Sequence, residues 1–135
     1  MQVFDLHHDI SVSQALDSAA ITSNTTTYSE WIDTASFESL TFIFSSATIT
    51  DGSYQLVMQE ADASDQSDAA AVASDLVLGA FSYAATDDNV AKRSGYIGKK
   101  RYVRAGLTST GVTSGGTFSA VSVLGTPNHS PVADD

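Results

Sequence analysis

The sequence predicts an all-β fold, either a β-sandwich or a jelly-roll-like barrel, in a single domain. The chain has 135 residues, the length of one domain, and only 16% of them are charged, against roughly 25% in average soluble domains. Ser, Thr, Ala and Gly take the place of charged residues, which disfavours exposed helices. Short apolar runs separated by turn residues recur along the chain, as they do in sandwiches and barrels.

Seven runs rich in β-branched, aromatic and other apolar residues are the predicted strands. Turn signals such as Asp51-Gly52 and Gly115-Gly116 lie between them, because Gly tolerates the positive φ angles of tight reversals. The acidic, Ala-rich segment 61–74 is compatible with a long loop or with a short helix that starts near Asp68. The predicted strands are residues 28–32, 40–45, 54–59, 76–83, 94–97, 102–108 and 117–124.

Alternation of apolar residues assigns the two faces of these strands, because neighbouring side chains of a strand point to opposite sides of its sheet. The residues of one side are expected to face a shared core. The predicted core positions are Leu40, Phe42 and Phe44 in the first half of the chain, and Val103, Ala105, Leu107, Val121 and Val123 in the second.

The chain is expected to divide into an arm, a body and a tail. Residues 1–27 mix helical spacing with a Thr-rich run, so we interpret them as an arm and leave open that they join the sheet. Residues 28–125 form the sandwich. The tail, residues 126–135, holds both prolines, Pro127 and Pro131, which predicts an extended conformation without regular ladder bonds at those positions.

Composition argues against several classes of partner. The formal charge of −10 disfavours binding to nucleic acid or to an anionic membrane through bulk electrostatics. No apolar stretch approaches the ~18 residues of a membrane span, and no basic residue precedes an apolar run as in a signal peptide. We therefore expect a protein made in the cytoplasm, with no nucleic-acid or membrane partner. Release inside a particle by lysis would need no signal.

The sequence contains no strong candidate for a metal-binding or catalytic site. The run His7-His8-Asp9 has metal-ligand residue types, but neighbours on a strand point apart, so an exposed arm is the better interpretation. The acidic residues in 62–68 lack the Gly and Glu positions of a calcium loop. The absence of Cys removes thiolate sites. No nucleophile, base and orienting group can be assembled. We expect no metal, no cofactor and no enzymatic activity.

The basic residues are confined to one short segment. All six Lys and Arg lie between positions 92 and 104, whereas the acidic residues are spread widely. Two hypotheses stay open: a docking patch for an acidic partner surface, or intramolecular pairing with neighbouring carboxylates, where each exposed pair would contribute about 0–1 kcal/mol. The residues predicted to make contacts are Lys92, Arg93, Lys99, Lys100, Arg101 and Arg104.

Two further residues are candidate contacts. Trp31 is the single tryptophan, and it alternates with Ile32, so Trp31 faces outward if Ile32 faces the core. Exposed aromatic residues are enriched at interface hot spots, although a core position for Trp31 is the safer expectation. His129 stands between the two prolines with no catalytic pattern around it, which indicates a contact or capping role.

Five segments from residue 32 onward stand out as motifs: IDT at 32–34, FESLTF at 37–42, Asp51-Gly52, GYIGKKRYVR at 95–104 and LGTPNHSPV at 124–132. Together they resemble a family of small structural proteins of tailed bacteriophages, which have a similar length and accompany the major capsid protein. GYIGKKRYVR and the Pro-x-His-x-Pro-Val ending are the most specific parts. The first thirty residues carry no part of the resemblance.

The resemblance implies a head decoration, or cement, protein. Such a protein would bind the major capsid protein on the outer surface of the head at subunit junctions, stabilise the shell, and assemble in the host cytoplasm as a homodimer or homotrimer. Some members are described only as minor structural or tail components. The family has no established catalytic residues to transfer.

Two alternatives remain from the sequence. The first is a minor structural protein of the tail or neck of the virion. The second is a carbohydrate-binding β-sandwich module that would use Trp31 and exposed tyrosines as stacking platforms.

Overall fold

The chain forms eleven strands within residues 5–133, which are the residues that the computed structural model describes. Two short 3₁₀ turns, His7–Asp9 and Ser74–Leu76, complete the regular structure, and no described helix is long and apolar enough to cross a membrane. The strands are β1 Ile10–Ile21, β2 Thr26–Tyr28, β3 Ile32–Asp33, β4 Phe37–Ile49, β5 Ser53–Ala61, β6 Ala70–Ala71, β7 Val77–Leu78, β8 Ser82–Tyr83, β9 Ala91–Tyr96, β10 Tyr102–Thr110 and β11 Gly116–Pro127.

The strands make two antiparallel sheets that pack as a sandwich. The first sheet has the order β1-β11-β4-β9-β7. The second has the order β2-β10-β5-β6, with β3 also paired to β10 and β8 to β5. The all-β, sandwich-like prediction is confirmed.

An aromatic cluster between the sheets forms the centre of the core. Phe118 of the first sheet packs against Tyr54 and Tyr83 of the second, with ring centroids 4.6 Å and 5.2 Å apart. All three side chains are almost completely buried. The Tyr83 hydroxyl donates to the carbonyl of Val90 at 2.9 Å, so its polar atom is satisfied inside the core. Burial raises the pKa of Tyr83 to about 12.

The predicted faces are confirmed for two strands and wrong for a third. The predicted inward residues of β4 and β10 are buried. In β11, however, the buried set is Phe118, Ala120, Ser122 and Leu124. Val121 and Val123, which were expected inside, lie on the outer face. The inner face of β11 tolerates Ser122 because its hydroxyl hydrogen-bonds with that of Ser13, 2.8 Å away.

Two predicted elements are divided by the structure. The expected strand 76–83 breaks at Gly79, which has a φ of 65° that favours glycine, so β7 joins the first sheet and β8 the second. The expected strand 28–32 likewise ends at Tyr28 and resumes at Ile32. Segment 61–74 holds no α-helix. Its turn is closed by Asp68, whose carboxylate accepts from the backbone N–H groups of residues 62 and 63.

Both ends of the chain contribute to the first sheet. Residues 10–21 of the predicted arm are strand β1, which pairs with β11 through two register shifts. The predicted tail begins inside β11, where Pro127 lies opposite Phe37. Farther on, the N–H of Val132 donates to the carbonyl of His8 at 2.8 Å. The described termini are thus held together.

The turn before β11 depends on one carboxylate. Asp51 accepts hydrogen bonds from the backbone N–H groups of Thr113, Ser114 and Gly115 at 2.9–3.1 Å. The N–H groups of Ser114, Thr113 and Gly115 hold the pKa of Asp51 below its ordinary value of 3.8. These bonds join the β4–β5 turn to the β10–β11 turn across the end of the sandwich.

Val103→Thr and Val121→Thr test the assignment of faces with one chemical change. Val103 is fully buried between the sheets, so its new hydroxyl would lose hydration, and unfolding free energy should fall by about 1–3 kcal/mol. Val121 is only partly buried, so the same change should stay within about 0.5 kcal/mol. Denaturant unfolding measures both. A loss at Val121 larger than that at Val103, measured on protein dilute enough to be monomeric, would reverse the assignment of β11.

Asp51→Asn should destabilise the protein at neutral pH, because a neutral amide oxygen accepts more weakly than a carboxylate and an NH₂ group in place of Oδ2 cannot accept from the N–H of Ser114. A lowered folded-state pKa contributes stability above the unfolded value of 3.8, and this contribution is lost as the pH falls through the folded value. The difference in melting temperature between wild type and Asp51→Asn should therefore shrink in acid. Asp17→Asn removes the same charge at an exposed position of β1 and is the control, whose melting temperature at neutral pH should stay close to that of wild type.

Candidate contact surface

The structure distributes the six basic residues over different parts of the sandwich. Arg104 lies on the outer face of the second sheet, and Arg93 lies on the outer face of the first, in register with Ile43. Lys99, Lys100 and Arg101 occupy the loop that crosses from β9 to β10. The six therefore form one run in sequence but not one patch in space.

Arg104 is the centre of a compact cluster. Its guanidinium carbon lies 4.0 Å from the ring centroid of Tyr28 and 4.6 Å from that of Trp31. Its Nε and Nη2 atoms both donate to Oε1 of Gln59, at 2.9 Å and 2.6 Å. A planar guanidinium held by an amide and two aromatic rings is fixed in orientation, so little side-chain entropy remains to be lost on binding.

The strand register explains this cluster. Gln59 is the direct partner of Arg104 on β5, and both point away from the core because Ala105 and Met58 point into it. On the other side, β2 places Tyr28 opposite Gly106. A Cβ at Gly106 would lie 2.9 Å from Cδ1 of Tyr28, so glycine allows the ring to lie close to β10 beside Arg104.

Ion pairs hold the neighbouring loop. The Arg101 guanidinium makes two hydrogen bonds with the Asp33 carboxylate, at 2.8 Å and 2.9 Å, and Lys100 Nζ lies 2.9 Å from Asp62 Oδ2. The hydrogen bond from Arg101 holds the pKa of Asp33 below its ordinary value. These side chains are about half exposed, so the pairs are screened by solvent and orient the loop more than they stabilise the fold.

Tyr96 holds the same loop through two hydrogen bonds of its hydroxyl group. Its hydroxyl donates to Glu60 Oε2 at 2.6 Å and accepts from the N–H of Lys100 at 3.0 Å. Burial, together with the bond to Glu60, raises the pKa of Tyr96. A side chain at Gly98 would collide with the Tyr96 ring, so glycine lets the loop fold over it.

The remaining basic residues have different surroundings. Lys92 is partly buried, and its Nζ donates to the carbonyl of Ser82 at 2.7 Å. The same atom lies 3.5 Å from Oδ2 of Asp87. Lys92 is therefore paired within the molecule, which is one of the two hypotheses that the sequence allowed for the basic residues. Arg93 and Lys99 are exposed. No ion pair holds either of them within residues 5–133.

Trp31 and His129 also differ from each other. Trp31 is partly exposed while Ile32 is buried, so the alternation is confirmed and the expected core position of Trp31 is wrong. His129 is exposed on the terminal segment, which is attached by a hydrogen bond from the N–H of Asn128 to the carbonyl of Ser36. A contact role for either residue stays a prediction.

We define the contact surface as Tyr28, Trp31, Lys100, Arg101 and Arg104. Sequence reasoning had singled out four of these and missed Tyr28, as well as Gln59, because their proximity to Arg104 arises only when β2, β10 and β5 pair. Within residues 5–133, no group of three His, Asp or Glu side chains is gathered in the manner of a metal site. Within this surface Lys100 and Arg101 are paired with carboxylates, whereas the Arg104 guanidinium is held by Gln59 and two aromatic rings.

Comparisons with solved structures relate the fold to two proteins. The structure is similar to that of XepA, the PBSX exported protein, with a TM-score of 0.57 at 16% identity over 99% of this chain and 43% of XepA. It is also similar to YomS, the SPBc2 prophage-derived protein, with a TM-score of 0.53 at 14% identity over 91% of this chain and 98% of YomS.

The likeness to these two proteins is one of fold, since identity is low. The match covers less than half of the XepA chain and nearly the whole of the YomS chain. No protein-family model matches the sequence, and no curated protein matches it.

Arg104→Ala should change the fluorescence of Trp31, the only tryptophan. Removing the guanidinium that lies over the indole exposes the ring to water, so the emission maximum should shift to longer wavelength and acrylamide quenching should increase. Lys100→Ala, in the neighbouring loop, is the control and should leave both properties unchanged. Equal spectra for Arg104→Ala and wild type would contradict the stacked geometry.

Proposed function

We propose that this protein is a bacteriophage virion protein that decorates the outside of the head, binds the major capsid protein at subunit junctions and stabilises the shell by contacts, without catalysis. The observation that carries the proposal is the double-sheet fold, which is shared over almost the full length of YomS, a protein named as prophage-derived. The sequence motifs that resemble phage structural proteins point to the same class.

The physical properties of the contact surface support docking. Tyr, Trp and Arg are the residue types most enriched at interface hot spots, and Arg104 brings one of each together in a fixed arrangement. Lys99, beside this surface, is exposed and free to meet a carboxylate of a capsid subunit. Modest affinity at each position is sufficient, because repetition over a shell multiplies its effect.

A carbohydrate-binding role has less support from the geometry. Sugar rings stack on open faces of aromatic side chains, but the Arg104 guanidinium lies over both Tyr28 and Trp31. A sugar would therefore have to displace Arg104 or use the opposite faces of these rings. A glycan array with wild type and Arg104→Ala tests this alternative. Glycan binding by wild type, or binding that is gained when Arg104 is removed, would support it, and no binding by either would exclude it.

Placement in the virion can be measured directly by cryo-microscopy and by mass spectrometry with copy counting. The proposal predicts density on the outer head surface and a copy number that scales with the capsid subunits. Density only in the tail or neck, with a few tens of copies or fewer, would assign the protein to those structures instead. Absence from purified virions would refute a structural role altogether.

Arg104→Gln should weaken binding to heads that lack this protein by about tenfold or more, because a hot-spot contact contributes about 1.4 kcal/mol or above. Sedimentation of the protein with such heads, at several salt concentrations, measures the effect. Arg93→Gln removes the same charge from the opposite outer face and should bind nearly as wild type. Equal losses in both variants would show a bulk effect of charge rather than docking through the contact surface.

A further inference from the structure

The outer face of the first sheet is apolar. Val121 of β11 lies beside Ile43 of β4, and Val123 lies beside Val12 of the edge strand β1. Leu78 of β7 ends the neighbouring row on the opposite edge. Val12 and Leu78 are 40% and 52% exposed, so this face is open to water and is not a second core. Thr41 and Gly95 lie between Val123 and Leu78 in the row that crosses the sheet.

This apolar face is also nearly free of charge. At the outward positions that pair across these strands, the described residues include one charged side chain, Arg93, and the others are apolar, Ser, Thr, Gly or Gln. The exposed carboxylate of Asp17 belongs to the register shift of the edge strand β1, opposite Ser119. The whole chain has a formal charge of −10, so its other surfaces would repel a second copy. Two copies can approach closely through this face without bringing carboxylates together.

We propose that the apolar face is the interface between two copies of this chain, which pack sheet against sheet about a two-fold axis. The same patch then serves both copies, as in closed dimers. The three long strands, β1, β11 and β4, have 12, 12 and 13 residues. At a spacing of about 4.8 Å and a rise of about 3.4 Å per residue they cover about 600 Å² per copy, or about 1,200 Å² for the pair. This area reaches the lower limit of specific, stable interfaces.

Such a dimer leaves the contact surface accessible. Arg104 and its aromatic partners lie on the second sheet, on the opposite side of each sandwich from the interface. Each dimer would therefore present two contact surfaces pointing away from each other, and would bridge two partner molecules. Self-association itself does not depend on the proposed role in the virion, and it can be measured without phage heads.

The test is the mass of the purified full-length protein in analytical ultracentrifugation. Wild type should sediment at twice the 14.1 kDa of the chain. Val123→Asp should weaken dimerisation by about tenfold or more, because it desolvates one carboxylate of each copy in an apolar interface. Ser45→Glu adds charge at an exposed position of the same face and should act in the same direction without disturbing the monomer core.

Val57→Asp is the matched control, since Val57 is partly buried on the outer face of the second sheet, opposite Gly106. This variant should remain dimeric. Circular dichroism confirms that each variant is folded, and Ser45→Glu decides the outcome if Val123→Asp does not fold. A monomeric wild type, or folded Ser45→Glu that dimerises as tightly as wild type, would overturn the proposal.

Discussion

The packing of the Phe118 ring against the rings of Tyr54 and Tyr83, tilted to the first and edge-on to the second, is the interaction on which the rest of the structure depends. These rings lie where the two sheets meet, and their contacts place one set of alternating side chains on β11, β5 and β8 in the core. Because strand neighbours point to opposite sides, this choice also fixes which residues face outward. Arg104, Val121 and Val123 lie on the surface for this reason.

The two outer faces have different chemistry. The second sheet presents a charged and aromatic cluster around Arg104, whose geometry is fixed by pairing with Gln59 and by the close approach of Tyr28 over Gly106. The first sheet presents valine, isoleucine and small polar residues with little charge. One face is therefore suited to recognising a polar partner, and the other to packing against an apolar surface.

The sequence predicted the fold class and the inward faces of β4 and β10, because apolar alternation in these two strands is unambiguous. It failed on β11, where two alternating sets compete: Val121 and Val123 are more apolar than Ala120 and Ser122, but the large Phe118 and Leu124 belong to the second set and decide the register. The contact surface was predicted only in part. Tyr28 and Gln59 lie far from Arg104 in sequence, so only strand pairing reveals the cluster.

The most direct test of the account is hydrogen exchange of the protein alone and bound to phage heads, read at backbone amides. Contacts through the outer surface of the second sheet predict slower exchange on binding in residues 29–31 and in the loop 97–101, which adjoin the contact surface. Core amides between the sheets should exchange at unchanged rates. Protection confined to the other end of the sandwich, around Asp51 and the β10–β11 turn, would contradict the account.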